Sequence, residues 1–249
     1  MRLHLCTWQE VEAYLAERTG IIIPIGSTEQ HGPNGMIGTD ALCAEAVALK
    51  VGEKTDALVG PTLSIGMAQH HLGFPGSITL RPTTLIAVIC DVVNSLARHG
   101  FDRFFFINGH GGNVATASAA FSEIYAQASL ADGRGGPRCR MENWWQNEAV
   151  MKISRKRFAE QEGSHATPSE VSLTYNLFPE DAARISGAEL SPKIAPKGPI
   201  YDAADYRRRF ADGRIGSDPG LASGEAGAEL LAAATETIAA RFLEFLEED

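Results

Sequence analysis

Cysteine is scarce in this 249-residue chain. Its four cysteines form no CxxC pair, which argues against a zinc ribbon, a dithiol redox site or a disulfide framework. Long apolar runs are also missing, since the strand-like run at Ile21–Ile25 is far too short to cross a bilayer. The N-terminal segment has no apolar core bounded by a cleavage signal. We therefore expect a reduced, soluble, cytoplasmic protein with no membrane partner.

Positive charge is low as well. Lys and Arg total 22 against 31 Asp and Glu, which gives a formal net charge of −9. Such a chain has no basic field to neutralise phosphates, so we expect no nucleic-acid partner. The hydrophobic fraction of 44% excludes a mainly disordered chain. The length allows a sizeable core in one α/β domain, and we expect residues 1–249 to form that single domain.

Short β-branched or aromatic runs alternate with longer helical patterns along the chain. The predicted strands are 21–25, 57–59, 77–80, 103–107 and 138–142. The predicted helices are 40–53, 83–99, 113–129, 168–177 and 222–247. This alternation is typical of βαβ units, and it predicts an α/β fold with a mainly parallel sheet and helices on both faces.

Residues 178–220 depart from this alternation and are called the excursion below. They hold five of the twelve prolines and a basic stretch at Arg207–Arg209. We expect the excursion to act as a lid or an oligomer contact rather than as a second domain. We interpret its basic stretch, 206–210, as a solvated loop.

Three polar segments carry the candidate chemistry: Gly26–Asp40, Asn108–Asn113 and Gly163–Glu170. The first two follow predicted strands directly. Because sites in open α/β sheets form at the carboxyl ends of parallel strands, we expect these segments to converge. Their carboxylates and imidazoles make an oxygen and nitrogen ligand set suited to Zn²⁺, Mn²⁺ or Fe²⁺. Two metal ions, with Asp40 as a possible bridge, would account for so many ligands.

Each of these residues also has a structural interpretation. Asp40 stands where it could cap the helix that follows. The NGHGGN segment could be a plain glycine-rich turn, or an anion cradle in a nucleotide- or sugar-phosphate-binding module. Val114 replaces the third glycine of GxGxxG, which weakens a dinucleotide site, and no GxSxG nucleophile elbow occurs. We interpret His70 as a surface residue.

Five motifs together resemble the creatininase (creatinine amidohydrolase) family. They occur in order along about 200 residues. The combination of EQHGP with NGHGGN is far more specific than either motif alone. The motifs are PIGSTEQHGP with the TD at 39–40, FPGSITL at 74–80, NGHGGN at 108–113, HATPSEVS at 165–172 and GSDPGLASGEAG at 216–227.

The resemblance implies a three-layer α/β/α sandwich with a dinuclear metal site, zinc first and manganese or iron as alternatives. It implies hydrolysis of a non-peptide C–N bond, in a cyclic amide or a formamide, by a metal-activated hydroxide; another branch of the family trims a peptide-derived redox cofactor. It also implies a homo-oligomer, often a hexamer. His165 corresponds to a proton shuttle. The family's metal ligands fall on Glu29, His31, Asp40, His110 and Glu170.

Two positions depart from the creatininase pattern and argue against creatinine as the substrate. Gly112 stands where true creatininase carries a glutamate, and Asn34 stands where many relatives have a second histidine. The substrate-binding candidates are His71, Trp144 and Trp145, although two tryptophans can equally be packing residues. A family member that has lost catalysis is a further alternative.

Overall fold

The computed structural model describes residues 1–131 and 135–248. Its sheet has four parallel strands in the order β2-β1-β3-β4, which confirms the predicted parallel sheet. The predicted strand at 77–80 is wrong. That segment makes only an isolated antiparallel bridge, between Ile78 and Thr28, because the Leu80 amide turns to the Gly66 carbonyl. The strands are β1 Gly20–Ile25, β2 Leu58–Val59, β3 Arg103–Asn108 and β4 Arg138–Asn143.

Nine α-helices fall within the described residues. None of them is both long and apolar enough to cross a membrane. The predicted helices all form, with ends shifted by a few residues. The helices are α1 Trp8–Leu15, α2 Thr39–Thr55, α3 Pro82–Ala97, α4 Asn113–Leu130, α5 Glu148–Arg157, α6 Pro168–Leu177, α7 Pro179–Ile185, α8 Ala203–Arg209 and α9 Gly224–Leu246.

Helices cover both faces of the sheet, which makes the three-layer α/β/α sandwich. On one face, Ile22 and Phe105 pack in a core with side chains of α2 and α9. On the other face, Ile21, Phe104 and Phe106 pack with side chains of α3 and α4. Successive strand residues point to opposite faces, so a strand buried on both sides must be apolar throughout. The runs IIIPI and FFFI follow that rule.

The excursion is more ordered than a solvated loop. It contains α7 and α8. Tyr206 on α8 and Phe210 directly after it are buried, so 206–210 is a packed helix end rather than a loop, although Arg207–Arg209 are exposed to solvent as expected. Arg214 is fully buried, and its guanidinium donates to the carbonyls of Pro192 and Lys193 and to the Asp212 carboxylate. The Arg214 side chain thus links residues 192–193 to residues 212–214 of the excursion.

Candidate metal centre

The site lies where β1, β3 and β4 end together. Their register aligns Ile25 with Asn108, and Asn108 with Asn143. The Asn108 amide donates to the Asn143 side-chain oxygen and to the His110 carbonyl, both at 2.7 Å. It thereby sets the path of the NGHGGN loop immediately beyond β3, and this loop carries His110 toward the carboxyl end of β1.

Asn113 joins this loop to its neighbours. Its side-chain nitrogen donates to the Gly26 carbonyl at 2.9 Å, and its side-chain oxygen accepts from the Met67 amide at 3.1 Å. Gly109 lies so close to α2 that a Cβ there would overlap the Asp40 carbonyl. The asparagines and the first glycine of the motif are therefore structural supports for the imidazole between them.

Among the described residues, three groups of three offer ligand atoms that all lie within 4.8 Å of one another. Two of these groups share Asp40: one is Glu29, Asp40 and His110, and the other is His31, Asp40 and Glu170. Asp40 belongs to both: its Oδ1 lies 3.0 Å from His31 Nε2, and its Oδ2 lies 3.0 Å from His110 Nδ1. The structure thus brings together all five residues expected as metal ligands, with Asp40 in a bridging position.

Asp40 can take this position because it does not cap its helix. The N-cap of α2 is Gly38, and the structure has no side-chain cap there. Asp40 is instead the second residue of the helix and is almost completely buried. The expected capping role of Asp40 is therefore wrong, and its carboxylate is left to the two imidazoles.

In both His31 and His110, one ring nitrogen is hydrogen-bonded to a backbone carbonyl. His31 Nδ1 donates to the Glu29 carbonyl at 3.0 Å, and His110 Nε2 donates to the Met67 carbonyl at 3.1 Å. The other nitrogen of each ring faces the carboxylates. Metal-binding histidines are commonly oriented in this way, with one nitrogen hydrogen-bonded and the other toward the ion.

The carboxylates also fit a cation. Glu29 Oε1 and Asp40 Oδ2 are buried, and neither receives a hydrogen bond of acceptable geometry, although imidazole nitrogens lie 3.0 Å from each. A buried carboxylate oxygen without a partner is costly unless a cation compensates it. The donors present, carboxylates and imidazoles without a thiol, suit zinc, manganese or iron.

The charges at the site also favour a bound cation. Burial by itself lowers the pKa of His31, but the surrounding carboxylates, led by Asp40, outweigh burial and raise it to about 10. Glu29 and Asp40 likewise overcome burial and raise the pKa of His110 to about 9. Burial raises the pKa of Glu170 to about 7. The cluster therefore favours bound positive charge, and divalent cations at the same atoms would displace the imidazole protons.

His165 and His71 lie on the opposite side of Glu29. His165 Nδ1 is 3.7 Å and His71 Nε2 is 3.0 Å from Glu29 Oε1. Burial lowers the pKa of His165 well below its ordinary value, and burial with neighbouring histidines lowers the pKa of His71 to about 2. Both rings are thus neutral at neutral pH. His165 also forms a third potential ligand group with Glu29 and His31, so its geometry suits either a ligand or a proton carrier.

A cavity of about 610 Å³ opens onto these residues. Trp145 and His71 line it, as expected of substrate-binding residues, but Trp144 does not: it is 1% exposed and packs in the core against α5 and α9. Trp144 therefore packs in the core and does not border the cavity, where a substrate-binding residue would lie. His70 is also corrected, since it is buried and lines the cavity rather than the surface.

Sequence reasoning missed two polar residues of the site, of which Glu162 lines the cavity and Gln30 does not. Glu162 accepts a hydrogen bond from Ser169, while its Oε2 is buried without a partner and burial raises its pKa. Gln30 lies between the rings of His71 and His165. Glu162 belongs to an ordinary charged run with no spacing signal, whereas Gln30 stands inside the EQH motif and could have been singled out there.

The fold and the site together define a three-layer α/β/α protein with a candidate metal centre at the carboxyl ends of its strands. The family model for creatininase, described as creatinine amidohydrolase, matches residues 4–242. The chain belongs to the creatininase family.

Curated relatives with similar sequences are hydrolases. The 3-dehydro-scyllo-inosose hydrolase of Thermotoga maritima is 28% identical over 226 residues, 86% of this chain and 68% of that protein. The mycofactocin precursor peptide peptidase of Mycolicibacterium smegmatis is 38% identical over 106 residues, 40% of this chain and 42% of that protein. The creatinine amidohydrolase of Pseudomonas putida is 38% identical over 110 residues, 42% of each protein. The matches to the last two thus span less than half of their length.

Solved creatininase structures are similar over nearly the whole chain. A mutant creatininase complexed with creatine has a TM-score of 0.84 at 26% identity, with 99% of both chains covered. A manganese form has a TM-score of 0.82 at 26% identity, also with 99% of both chains covered. A mutant of the Zn–Zn type has a TM-score of 0.81 at 25% identity, covering 99% of this chain and 98% of that one.

Proposed function

We propose that this protein is a metal-dependent amidohydrolase that cleaves a non-peptide C–N bond of a small molecule. The observation that carries the proposal is the pair of ligand groups that share Asp40. Zinc is the first expectation for the two divalent ions, with manganese or iron as alternatives, and the Zn–Zn and manganese forms of similar creatininases support this choice. The proposed ligands are Glu29, His31, Asp40, His110 and Glu170.

When bound, two divalent cations would supply a water activated at neutral pH and polarisation of the scissile carbonyl. The protein's own groups would hold these ions and manage protons. His165 is neutral because burial lowers its pKa, so it can accept a proton near the reacting centre and pass it to the departing nitrogen. Trp145 borders the cavity and offers an aromatic wall to the substrate.

Gly112 argues that the substrate is not creatinine. A Cβ at this position would overlap the His110 ring and the Met67 carbonyl, so this backbone leaves no room for the glutamate of true creatininase. The cavity of about 610 Å³ lies in the usual range for sites that take small-molecule ligands. We propose a lactam, a formamide or a small linear amide, with Glu162 as a polar contact in the cavity wall.

A second candidate substrate class is a cyclic polyol ketone. It is favoured by the 3-dehydro-scyllo-inosose hydrolase, whose similarity extends over 86% of this chain. A phosphate-binding module is less consistent with the site, because the buried carboxylates of Glu29 and Asp40 repel an anion. In addition, the Asn113 and Val114 amides at the start of α4 already donate to carbonyls of the same turn.

The experiment is a metal assay followed by a hydrolysis screen. Purified protein, loaded with zinc, manganese or iron, is tested on creatinine, other lactams, formamides, linear amides and 3-dehydro-scyllo-inosose. We expect close to two ions per chain and chelator-sensitive turnover of one amide class. Activity that survives complete metal removal would contradict the proposal. Two bound ions with no turnover of any substrate would favour a family member that has lost catalysis.

His165→Ala separates the two roles open to that ring. We expect this variant to keep its metal ions and to lose turnover, because the proposed role of His165 is proton transfer. Loss of one ion from the variant would make His165 a ligand instead. The family resemblance also predicts a homo-oligomer, commonly a hexamer, and light scattering on the purified protein tests that assembly.

A further inference from the structure

Gln30 occupies the space between the rings of His71 and His165. It is 6% exposed. Its side-chain nitrogen, Nε2, lies 2.9 Å from His71 Nδ1, 3.0 Å from His165 Nε2 and 2.9 Å from the Gly213 carbonyl. The Tyr206 hydroxyl oxygen is a fourth, longer neighbour at 3.5 Å. An amide nitrogen has only two hydrogens, so at most two of these four contacts are full hydrogen bonds.

Two backbone groups determine which way the amide faces. The Gly32 N–H can only donate, and it lies 2.9 Å from Gln30 Oε1. The Gly213 carbonyl can only accept, and it lies 2.9 Å from Gln30 Nε2. The side-chain oxygen therefore faces Gly32, and the NH₂ group faces Gly213 and the histidines.

A third backbone group assigns the remaining hydrogens. The Gln30 carbonyl lies 2.8 Å from His165 Nε2, and because a carbonyl only accepts, His165 Nε2 carries a proton. A protonated nitrogen cannot accept from the amide, so the second amide hydrogen goes to His71 Nδ1 at 2.9 Å rather than to the more distant Tyr206 hydroxyl oxygen at 3.5 Å. Because Nδ1 then accepts, the His71 ring carries its proton on Nε2, which lies 3.0 Å from Glu29 Oε1.

We propose that Gln30 is a positioning residue that sets the tautomers of His71 and His165. With its proton on Nε2, His165 presents the unprotonated Nδ1 on the side of Glu29, 3.7 Å from Oε1. This is the form that can take up a proton or bind a cation. His71 instead has its proton on the side of Glu29, with Nε2 3.0 Å from Oε1. The proposal rests on the proposed function for the use made of these nitrogens, but not for the tautomers themselves.

The excursion takes part through the Gly213 carbonyl. Tyr206, fully buried on α8, donates its hydroxyl hydrogen to the same carbonyl at 2.7 Å. Gly213 has a φ of +89°, and a Cβ there would overlap the Gln30 amide, so this position requires glycine. The segment after α8 thus anchors the amide that orients the two histidines, and this gives the excursion a role in the site.

Nitrogen-15 NMR of histidine-labelled, zinc-loaded protein tests the proposal directly, because it distinguishes protonated from unprotonated ring nitrogens. We expect a proton on Nε2, and none on Nδ1, for both His71 and His165. A proton on Nδ1 of either ring would overturn the assignment. The wild-type spectrum suffices for this test, so it does not depend on whether any variant folds.

Gln30→Glu tests whether the amide is the cause. A carboxylate cannot donate to His71 Nδ1, so we expect the proton of His71 to move to Nδ1, while an unchanged tautomer would contradict the proposal. We also expect kcat to fall by about 10–100-fold with a smaller change in KM and an unchanged metal content. Asn147→Asp is the matched control, since Asn147 is another buried amide with hydrogen bonds to backbone groups but faces α5.

The NMR result separates this proposal from the proposed function. Protein that shows the expected tautomers but hydrolyses none of the screened amides leaves the role of Gln30 intact and contradicts only the amidohydrolase function. Protein that is active but has a proton on Nδ1 of His165 contradicts the role of Gln30 and leaves the amidohydrolase function intact.

Discussion

The two sides of the candidate site are built in different ways. On the strand side, Glu29, Asp40 and His110 lie within a few residues of the ends of β1 and β3 or at the start of α2. On the excursion side, His71 and His165 are oriented by Gln30, whose partners are as far as 135 and 183 residues away in sequence. One side depends on sheet register and the other on long-range contacts.

Under the proposed function, this difference would separate metal binding from proton transfer. The strand side holds the carboxylates on elements with apolar residues buried on both faces of the sheet. On the excursion side, a few hydrogen bonds of the Gln30 side chain hold the neutral imidazoles in place. A change on the strand side should therefore remove metal, whereas a change in the excursion should alter stability or turnover while the ligands stay in place.

The largest effect is expected for Asp40→Asn. This change removes a charge that both ligand groups share, so we expect fewer than two ions per chain. Turnover should fall by more than the roughly 100-fold that loss of a supporting hydrogen bond costs. Elemental analysis and kinetics measure both quantities. Asp205→Asn, a buried carboxylate on α8 paired with arginines, is the matched control and should keep its metal; full metal content in Asp40→Asn would remove Asp40 from the ligand set.

Arg214→Met tests the stability of the excursion. The buried guanidinium serves carbonyls at Pro192, Lys193 and Ser217 as well as the Asp212 carboxylate. Removing the guanidinium leaves these carbonyls without their donor, at about 1–3 kcal/mol each, and we expect the free energy of unfolding by urea to fall by about 3–5 kcal/mol in all. The Asp212 carboxylate is 27% exposed, so water can solvate it in the variant. The folded fraction of the variant should still bind as many zinc ions per chain as the wild type. A change below about 1 kcal/mol would mean that the excursion is held by other contacts.

Metal removal is expected to lower stability by a smaller amount. With free metal at about 100 times its Kd, binding contributes about 2.7 kcal/mol, which corresponds to roughly 5–10 °C in melting temperature for a chain of this size. Scanning calorimetry before and after chelation, followed by metal return, measures the shift. An unchanged melting temperature would contradict the metal assignment.

The metal-free protein should also respond to pH. The folded-state pKa values of His31 and His110 are about 10 and about 9, above the ordinary 6.5. A raised pKa stabilises the fold below the unfolded pKa, and this contribution is lost as pH rises through the folded value. We therefore expect the stability of the metal-free protein to fall between about pH 7 and pH 10. A flat profile over this range would contradict the charge balance of the cluster.

The smallest effect is expected for Gly213→Ala. A non-glycine residue at a φ of +89° costs about 1–2 kcal/mol, and its Cβ would push the Gln30 amide away from the histidines. We expect this modest loss of stability together with a drop in kcat of about tenfold and an unchanged metal content. Gly187→Ala, at a glycine of the excursion where a Cβ meets no atom within 4 Å, is the matched control.

Much of the fold could be predicted from the sequence, because apolar periodicity and helix-end residues are local signals. The strand at 77–80 failed because its amides bond to two separate loop segments, Ile78 to Thr28 and Leu80 to Gly66, and not to one neighbouring strand. The burial of His70, Trp144 and Tyr206 could not be predicted, since it depends on elements distant in sequence that pack over them. The convergence of Glu29, His31 and His110 was predictable, because all three follow closely on the ends of β1 and β3, and Asp40 opens the helix that follows β1.

The sequence alone determined the parallel sheet, its two covered faces and the placement of the ligand residues at its carboxyl edge, because strand direction and residue order leave no other edge for them. Only the tertiary structure decided how those residues are used. Gly38 is the N-cap of α2, so the Asp40 carboxylate is free to lie between two imidazoles. The Gln30 side chain donates to the carbonyl of Gly213, which is 183 residues away. These contacts depend on which hydrogen-bond donors and acceptors come together when distant parts of the chain pack. No local sequence pattern indicates them.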